Sequence, residues 1–333
     1  MSQTTANKNL HKAKNAKKDE FYTQLTDIEN ELKHYRHHFK NKVVYCNCDD
    51  PRVSNFFHYF SYNFEDLGLK KLITTCYQNQ HLDLFSQHNS ENAIYLEYRG
   101  DLNKNRVPDL EEIGVQYLKG DGDFRSAESI ALLQQADIVV TNPPFSLFRE
   151  YVAQLVTYQK KFLIIGNMNA ITYKEIFPLI KENKVWFGPS IHSGDREFGV
   201  PNDYPLRAAG QRIDEKGNKF IRVKGVRWFT NLDHNKRHED LILYKHYTPE
   251  EYPKYDNYDA INVDKTKEIP MDYPGAMGVP ITFLDKYNPE QFELIGRMTT
   301  TKRDDFNFGY PYINGNKVYA RILIKNKRLP HGR

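Results

Sequence analysis

The chain has 333 residues, 39% of them hydrophobic and 27% charged, with a formal net charge of +4. That is enough apolar material for one large core, or a core with a smaller domain attached, and it excludes a small cross-linked scaffold. Three cysteines, Cys46, Cys48 and Cys76, are too few and too odd in number for a disulfide framework and fit a reducing compartment. No apolar run approaches the roughly 18 residues of a membrane span, and the segment before Asp19 lacks the apolar stretch of a secretory signal. A cytoplasmic protein with no membrane partner is therefore expected.

In chain order, residues 1–18 carry Lys8, Lys12, Lys14, Lys17 and Lys18 among Asn, Thr and Gln, and read as a basic flexible arm. Val43 to Cys48 is a short apolar run bounded by Asn41 and by Asp49-Asp50-Pro51, which predicts a buried strand ending in a tight loop. The Cys46-x-Cys48 spacing lacks the two-residue gap and second ligand pair of a zinc site, so buried thiols and no metal are expected. Residues 52–65, rich in Phe and Tyr, predict a helix. Leu69 to Tyr77 predicts a second strand, and Ala93 to Tyr98 a third or one arm of a hairpin.

After Gly120-Asp-Gly-Asp123, residues 125–135 have the apolar spacing of a surface helix, and Asp137 to Thr141 forms the next strand candidate. Ser146 is placed to cap a helix whose Leu147, Phe148, Tyr151, Val152 and Leu155 recur at three-and-four spacing. Lys161 to Gly166 is again strand-like and 171–182 helix-like. Strands alternating with helices predict an α/β fold, a parallel sheet with helices on both faces that binds ligands at the carboxyl ends of its strands. Beyond Pro189 the pattern loosens, although Val226 to Leu232, Val279 to Leu284 and Val318 to Ile324 still predict strands, so this half is expected to be partly β.

The segment Asp137-Ile-Val-Val-Thr-Asn142-Pro143-Pro144-Phe145 runs an apolar strand directly into a stiff turn. Neither proline has a backbone N–H and each fixes its own φ, so the turn's carbonyls are left to accept hydrogen bonds. The amide oxygen of Asn142 adds an acceptor beside the Pro143 carbonyl. Together they suit a planar amino group such as adenine's, whose delocalised lone pair becomes nucleophilic only as the nitrogen turns tetrahedral. Phe145 would stack on the base, which must first leave the duplex. The bland alternative is a rigid strand-to-helix connection.

This turn is the motif of amino-group methyltransferases, and the chain resembles the EcoRI-type adenine-specific DNA methyltransferases. The resemblance rests on Asp19-Glu-Phe-Tyr-Thr-Gln24, on Val43 through Asp49-Asp-Pro-Arg-Val-Ser-Asn-Phe-Phe57, on Gly120-Asp-Gly-Asp-Phe-Arg-Ser126, on Thr141-Asn-Pro-Pro-Phe-Ser-Leu-Phe148 and on Gly278-Val-Pro-Ile-Thr-Phe-Leu284. It implies a Rossmann-like sheet, S-adenosylmethionine as donor, and a monomer that protects a short duplex site from a partner nuclease, with no stable protein partner.

It further implies that the loop Cys46, Asn47, Asp49, Asp50 and Pro51 receives the methionine end of the cofactor. Asp123 would accept from the cofactor's adenine amine, Phe124 would pack on that ring, and Tyr22 and Thr23 would line the pocket. The loop departs from the glycine-rich turn usual after the first strand. As structural alternatives, Asp49 and Asp50 would start the next helix and Asp123 would cap the helix at 125. Glu97 suits either ribose hydroxyls or an exposed strand edge.

The expected organisation is a basic arm over 1–18, a catalytic domain over 19–232 with an insertion at 189–225, and a DNA-recognition region over 233–333. Double-stranded DNA is the expected partner. Candidate contacts are Lys14, Lys17 and Lys18 of the arm and Arg196, Arg212, Arg222 and Arg227 of the loosely patterned stretch, whose ordinary reading is a solvated loop. Family resemblance suggests GAATTC as the site. The rival readings are a methyltransferase acting on RNA or on protein glutamine, and a catalytically silent DNA-binding relative.

Overall fold

The computed structural model describes residues 21–48, 54–75, 93–105, 108, 112–192, 194–200, 210–299 and 308–329. The chain divides into two units. The first comprises residues 1–168 and 193–232, the second residues 169–192 and 233–333.

In the first unit the strands are β1 (Tyr22–Thr23), β2 (Val43–Asn47), β3 (Lys71–Thr75), β4 (Ile94–Tyr98), β5 (Gly114–Tyr117), β6 (Ile138–Thr141), β7 (Lys161–Asn167), β8 (Asp195–Val200), β9 (Gln211–Ile213), β10 (Lys219–Lys224) and β11 (Val226–Thr230). The main sheet has the order β5-β4-β3-β2-β6-β7-β11. Its centre is parallel, β2 pairing with β3 and β6, and β6 with β7. Its flanks are antiparallel, through β4, β5 and β11. The sheet is thus mixed: the expected parallel arrangement holds at its centre and gives way to antiparallel pairing at its flanks. Ala93 to Tyr98 is the hairpin-like arm.

The parallel core follows from composition. Every residue of β2, β3, β6 and β11 is buried, as continuous apolar strands covered on both faces must be. Helices α1 (Leu25–Leu32), α2 (Asn55–Tyr62), α3 (Phe64–Leu67), α4 (Ala127–Gln135) and α5 (Phe148–Thr157) complete the unit. Phe56 of α2 meets Trp228 of β11 edge-on, with ring centroids 6.2 Å apart. Helix α4 starts at Ser126, whose side chain accepts from the Ser129 N–H; Asp123 is therefore not its cap. Gly166 lets β7 pass under α5, since a Cβ there would lie 2.5 Å from the Phe148 ring.

Two local expectations are corrected. Ser146 lies inside a 3₁₀ turn, Phe145–Leu147, and α5 begins at Phe148 with no side-chain cap. The Pro144 carbonyl accepts from the Leu147 N–H at 2.9 Å, and this tightens the first turn. The run Val279 to Leu284 is not one strand: the strand there is Ala276–Pro280, and a 3₁₀ helix, Ile281–Lys286, follows.

A second sheet of the first unit has the order β1-β8-β10-β9 and is antiparallel. The second unit holds a four-stranded sheet in which β12 (Ala260–Asn262), β13 (Ala276–Pro280), β15 (Arg321–Asn326) and β14 (Phe292–Met298) are adjacent in that order. A bulge between Leu294 and Gly296 interrupts β14. Lys181, ending α6 (Phe177–Lys181), donates to the Ile295 carbonyl that the bulge releases, at 2.8 Å. Among the described residues no helix is long and apolar enough to cross a membrane.

Candidate active site

The carboxyl ends of β2 and β6 lie side by side, because Val44 and Tyr45 pair with Ile138 and Val139. Thr141 ends β6 and its hydroxyl donates to the main-chain carbonyl of Asn47, which ends β2. The two turns that follow these strands are therefore tied at their base. Beneath them the Tyr151 hydroxyl of α5 donates to the Asn47 side-chain oxygen. Tyr151 is fully enclosed, and burial pushes its phenol well above the ordinary value, so it remains a donor.

The turn itself begins with Asn142, 6% exposed. Its Nδ2 donates to the main-chain carbonyl of Phe21 at 2.7 Å. Its Oδ1 is buried and accepts no hydrogen bond among the described residues. A buried carbonyl oxygen without a donor is costly and uncommon, so this atom has an acceptor position left open toward groups beyond the described residues. Pro143 is buried, and Pro144 and Phe145 are half-buried. The Phe145 ring meets Phe21 edge-on, centroids 5.7 Å apart.

After β2, Cys48 adopts φ +102°, a conformation that favours glycine. Cys48 thus takes backbone that a glycine usually takes at this point. Cys46 is enclosed in the sheet, and the Asn47 side chain is held by Tyr151, so both shape the loop from below. Asp49, Asp50 and Pro51 lie outside the described residues. Thr23 is 1% exposed, and its hydroxyl also lacks a partner among the described residues. Its carbonyl accepts from Asn55, the first residue of α2, at 2.8 Å. Tyr22 is half-buried and pairs with Gly199.

Asp123 is held by Arg125, whose main-chain N–H, Nε and Nη2 all donate to it, the last at 2.6 Å. Burial alone would raise its pKa, but these hydrogen bonds outweigh it and hold the carboxyl below the ordinary Asp value. Arg125 also reaches Glu150 of α5 at 3.0 Å. Phe124 is buried with its ring edge-on to Tyr151 at 5.1 Å, and its carbonyl accepts from Gln154. Glu97 is engaged by Lys71 at 3.0 Å and by Arg99.

Among the candidate DNA contacts, Lys14, Lys17 and Lys18 lie outside the described residues. Arg196 is drawn toward Asp27 at 3.7 Å. Arg212 pairs with Glu197 at 2.6 Å and covers the Phe220 ring. Arg222 is exposed on β10, in register with Glu197. Arg227 is 2% exposed and donates to the Val226 carbonyl; enclosed in the sheet, it is removed from the DNA-facing set.

Three residues that matter to this geometry were not singled out by sequence. Tyr151 reads there only as one member of an apolar helix face. Thr141 reads as a strand end, and Phe21 as a neighbour of Tyr22 and Thr23 within the Asp19 to Gln24 stretch.

The model of the adenine-specific methyltransferase EcoRI family matches residues 9–327. The chain is 58% identical to the Type II methyltransferase M.EcoRI of Escherichia coli, over 99% of both chains. It is 40% identical to the Type II methyltransferase M.MgeORF184P of Mycoplasma genitalium, over 96% of this chain and 99% of that one. With the Type II methyltransferase M.MpnI of Mycoplasma pneumoniae the identity is 39%, over 96% and 98%. No solved structure matches. A match over nearly the whole length, joined to an Asn-Pro-Pro-Phe turn at the end of a central strand, makes this chain a member of the EcoRI family of adenine-specific methyltransferases.

Proposed function

We propose that this protein is the modification enzyme of a type II restriction-modification system. It would transfer methyl from S-adenosylmethionine to the 6-amino group of an everted adenine in a short duplex site, for which GAATTC is the first sequence to test. It acts as a cytoplasmic monomer on double-stranded DNA. The observation that carries this reading is the buried Asn142 Oδ1, an acceptor with no donor among the described residues, at the turn where an amino group would be held.

The chemistry assigned to the residues is simple. Asn142 Oδ1 and the Pro143 carbonyl each accept one hydrogen of the adenine amino group, which directs the nitrogen lone pair out of the ring plane. Phe145 offers its ring to the displaced base, and restores part of the stacking lost on eversion. No base is required before attack, because the amino group is neutral and keeps its proton until the new bond forms. The donor, when bound, supplies an electrophilic methyl group.

The residues fit such a donor within a Rossmann-like methyltransferase sheet. The parallel strands β3, β2 and β6 end at one level, Cys48 takes a positive φ as the chain leaves β2, and the Thr23 hydroxyl is a buried polar group with no partner among the described residues. Thr23, Tyr22 and the loop from Cys46 to Pro51 would hold its amino-acid end. Asp123 would take its adenine amine on the lone-pair position that Arg125 leaves on Oδ2, and Phe124 would border that ring. Arg222, Arg212 and Arg196, with Lys14, Lys17 and Lys18 of the arm, are the proposed DNA contacts. Residues 19–232 are the proposed catalytic domain, including the 189–225 insertion, and 233–333 the recognition region.

The test is transfer of tritiated methyl to duplex oligonucleotides. Duplex containing the target site should accept label on adenine, and Asn142→Ala should lower the rate by about a hundredfold or more, as loss of a positioned hydrogen-bonding group does, with duplex binding retained. Label appearing in RNA or protein but not in DNA, or binding without transfer, would refute the reading.

A further inference from the structure

The Asn142 amide can face its cleft in two ways related by half a turn about its last side-chain bond, and only one presents an acceptor. With Nδ2 outward, hydrogens of the amide would meet hydrogens of an incoming amino group. The choice is made from outside the turn. The Phe21 carbonyl accepts from Nδ2 at 2.7 Å, across 121 residues of sequence, and the reversed amide would set two carbonyl oxygens against each other there. The carbonyl is itself held in place. The Phe21 ring is 8% exposed, edge-on to Phe145 at 5.7 Å and tilted against Phe198 of β8 at 5.8 Å. The next two residues form β1 and pair with Gly199 and Phe198 of β8.

We propose that Phe21 is a positioning residue for methyl transfer, acting through Asn142 and Phe145, so that β1 and β8 are a working part of the amine-acceptor site. The proposal rests on the functional reading above and adds a residue to it. Its main-chain carbonyl selects the amide orientation that accepts hydrogens, and its ring sets the edge against which Phe145 is seated. A ring in ordinary core packing would hold the fold together without discriminating between ground state and transfer.

No side-chain substitution removes a main-chain carbonyl, so the ring is the experimental handle. Phe21→Ala and Phe21→Leu are compared with the unaltered full chain in single-turnover transfer of labelled methyl, at saturating S-adenosylmethionine and target duplex. Binding of each is measured separately, and 2-aminopurine at the target position reports eversion. Phe21→Ala should slow transfer about ten- to a hundredfold, the scale of a small misplacement of reacting groups, with Phe21→Leu between. Duplex binding should stay within about twofold, and any loss of eversion through Phe145 should be smaller than the loss of transfer. Combined with Asn142→Ser, the Phe21→Ala change should add less than its separate effect, because the amide route is already lost and only the Phe145 contact remains to lose.

A folded Phe21→Ala protein that transfers at the unaltered rate overturns the proposal. So does a loss lying wholly in donor or duplex binding, or one that multiplies with Asn142→Ser. Should Phe21→Ala fail to fold, Phe21→Leu decides by the same criteria. If the unaltered protein labels no duplex, the functional reading falls and takes the proposal with it; if it labels duplex and Phe21 does not matter, only the proposal falls.

Discussion

At Cys48 a β-carbon sits on backbone that glycine normally occupies, φ +102°, where the chain leaves β2. Such a conformation costs about 1–3 kcal/mol for a residue with a side chain, against about 0.5–1 kcal/mol of extra unfolded-state freedom for glycine. Cys48→Gly is therefore expected to raise stability by about 1 kcal/mol, read as a higher urea midpoint at unchanged slope. A lower midpoint would mean that the thiol's own contacts exceed the strain. A second residue-scale expectation concerns acid. The folded Asp123 carboxyl titrates below its ordinary value because hydrogen bonds from Arg125 outweigh the opposing effect of burial. Its contribution to stability is then fully present above the unfolded Asp value of about 4, and is lost as pH falls through the lower folded value. Asp123→Asn should be destabilised relative to the unaltered chain at pH 7, by a margin that shrinks below pH ~4, as measured by chemical denaturation across that range. The Asn142 to Phe145 turn was legible in sequence because two prolines after an apolar strand leave few other structures open. The partner that orients Asn142 was not, since a main-chain carbonyl 121 residues away has no side-chain signature.

At the scale of elements, legibility followed burial. The strands β2, β6 and β7 were found within a residue or two of their ends because unbroken apolar runs admit little else. The antiparallel flank was harder: β4 is half-buried and β5 exposed, so neither carries a strong pattern, and strand direction is set by pairing rather than by composition. Pro280 explains the other miss. Strand β13 ends at this proline, and the chain turns into a 3₁₀ helix where the apolar run continues. Helix α5 shows how one residue serves both packing and the site. Tyr151 lies on its apolar face, yet its hydroxyl satisfies the Asn47 side chain below the two turns. Tyr151→Phe keeps the ring contact with Phe124 and leaves the Asn47 oxygen buried without its donor. A loss of about 1–3 kcal/mol is expected, and weaker donor binding with it, because the loop after β2 loses its support. Unchanged stability by calorimetry would place that oxygen in contact with water instead.

At the scale of the whole molecule, a net charge of +4 on 333 residues is too small to explain DNA affinity by itself; distribution has to supply it. The sheet β1-β8-β10-β9 concentrates cations, but they differ in what already holds them. Arg212 is paired with Glu197, whose carboxyl its hydrogen bonds hold below the ordinary Glu range, and Arg196 is shared with Asp27. A phosphate that recruits either must compete with a carboxylate. Arg222 is exposed on the same sheet and in register with Glu197, which Arg212 already engages. If Arg222 meets a phosphate, Arg222→Ala should flatten the plot of log K against log salt by about 0.9 for B-DNA, weakening target and unrelated duplexes alike. If it meets a base edge, the slope should hold while discrimination between target and single-substituted sites falls by about 1–3 kcal/mol at one position. Titration of both duplexes at several salt concentrations separates the two outcomes, and no change in either quantity would remove this strand from the DNA-binding face.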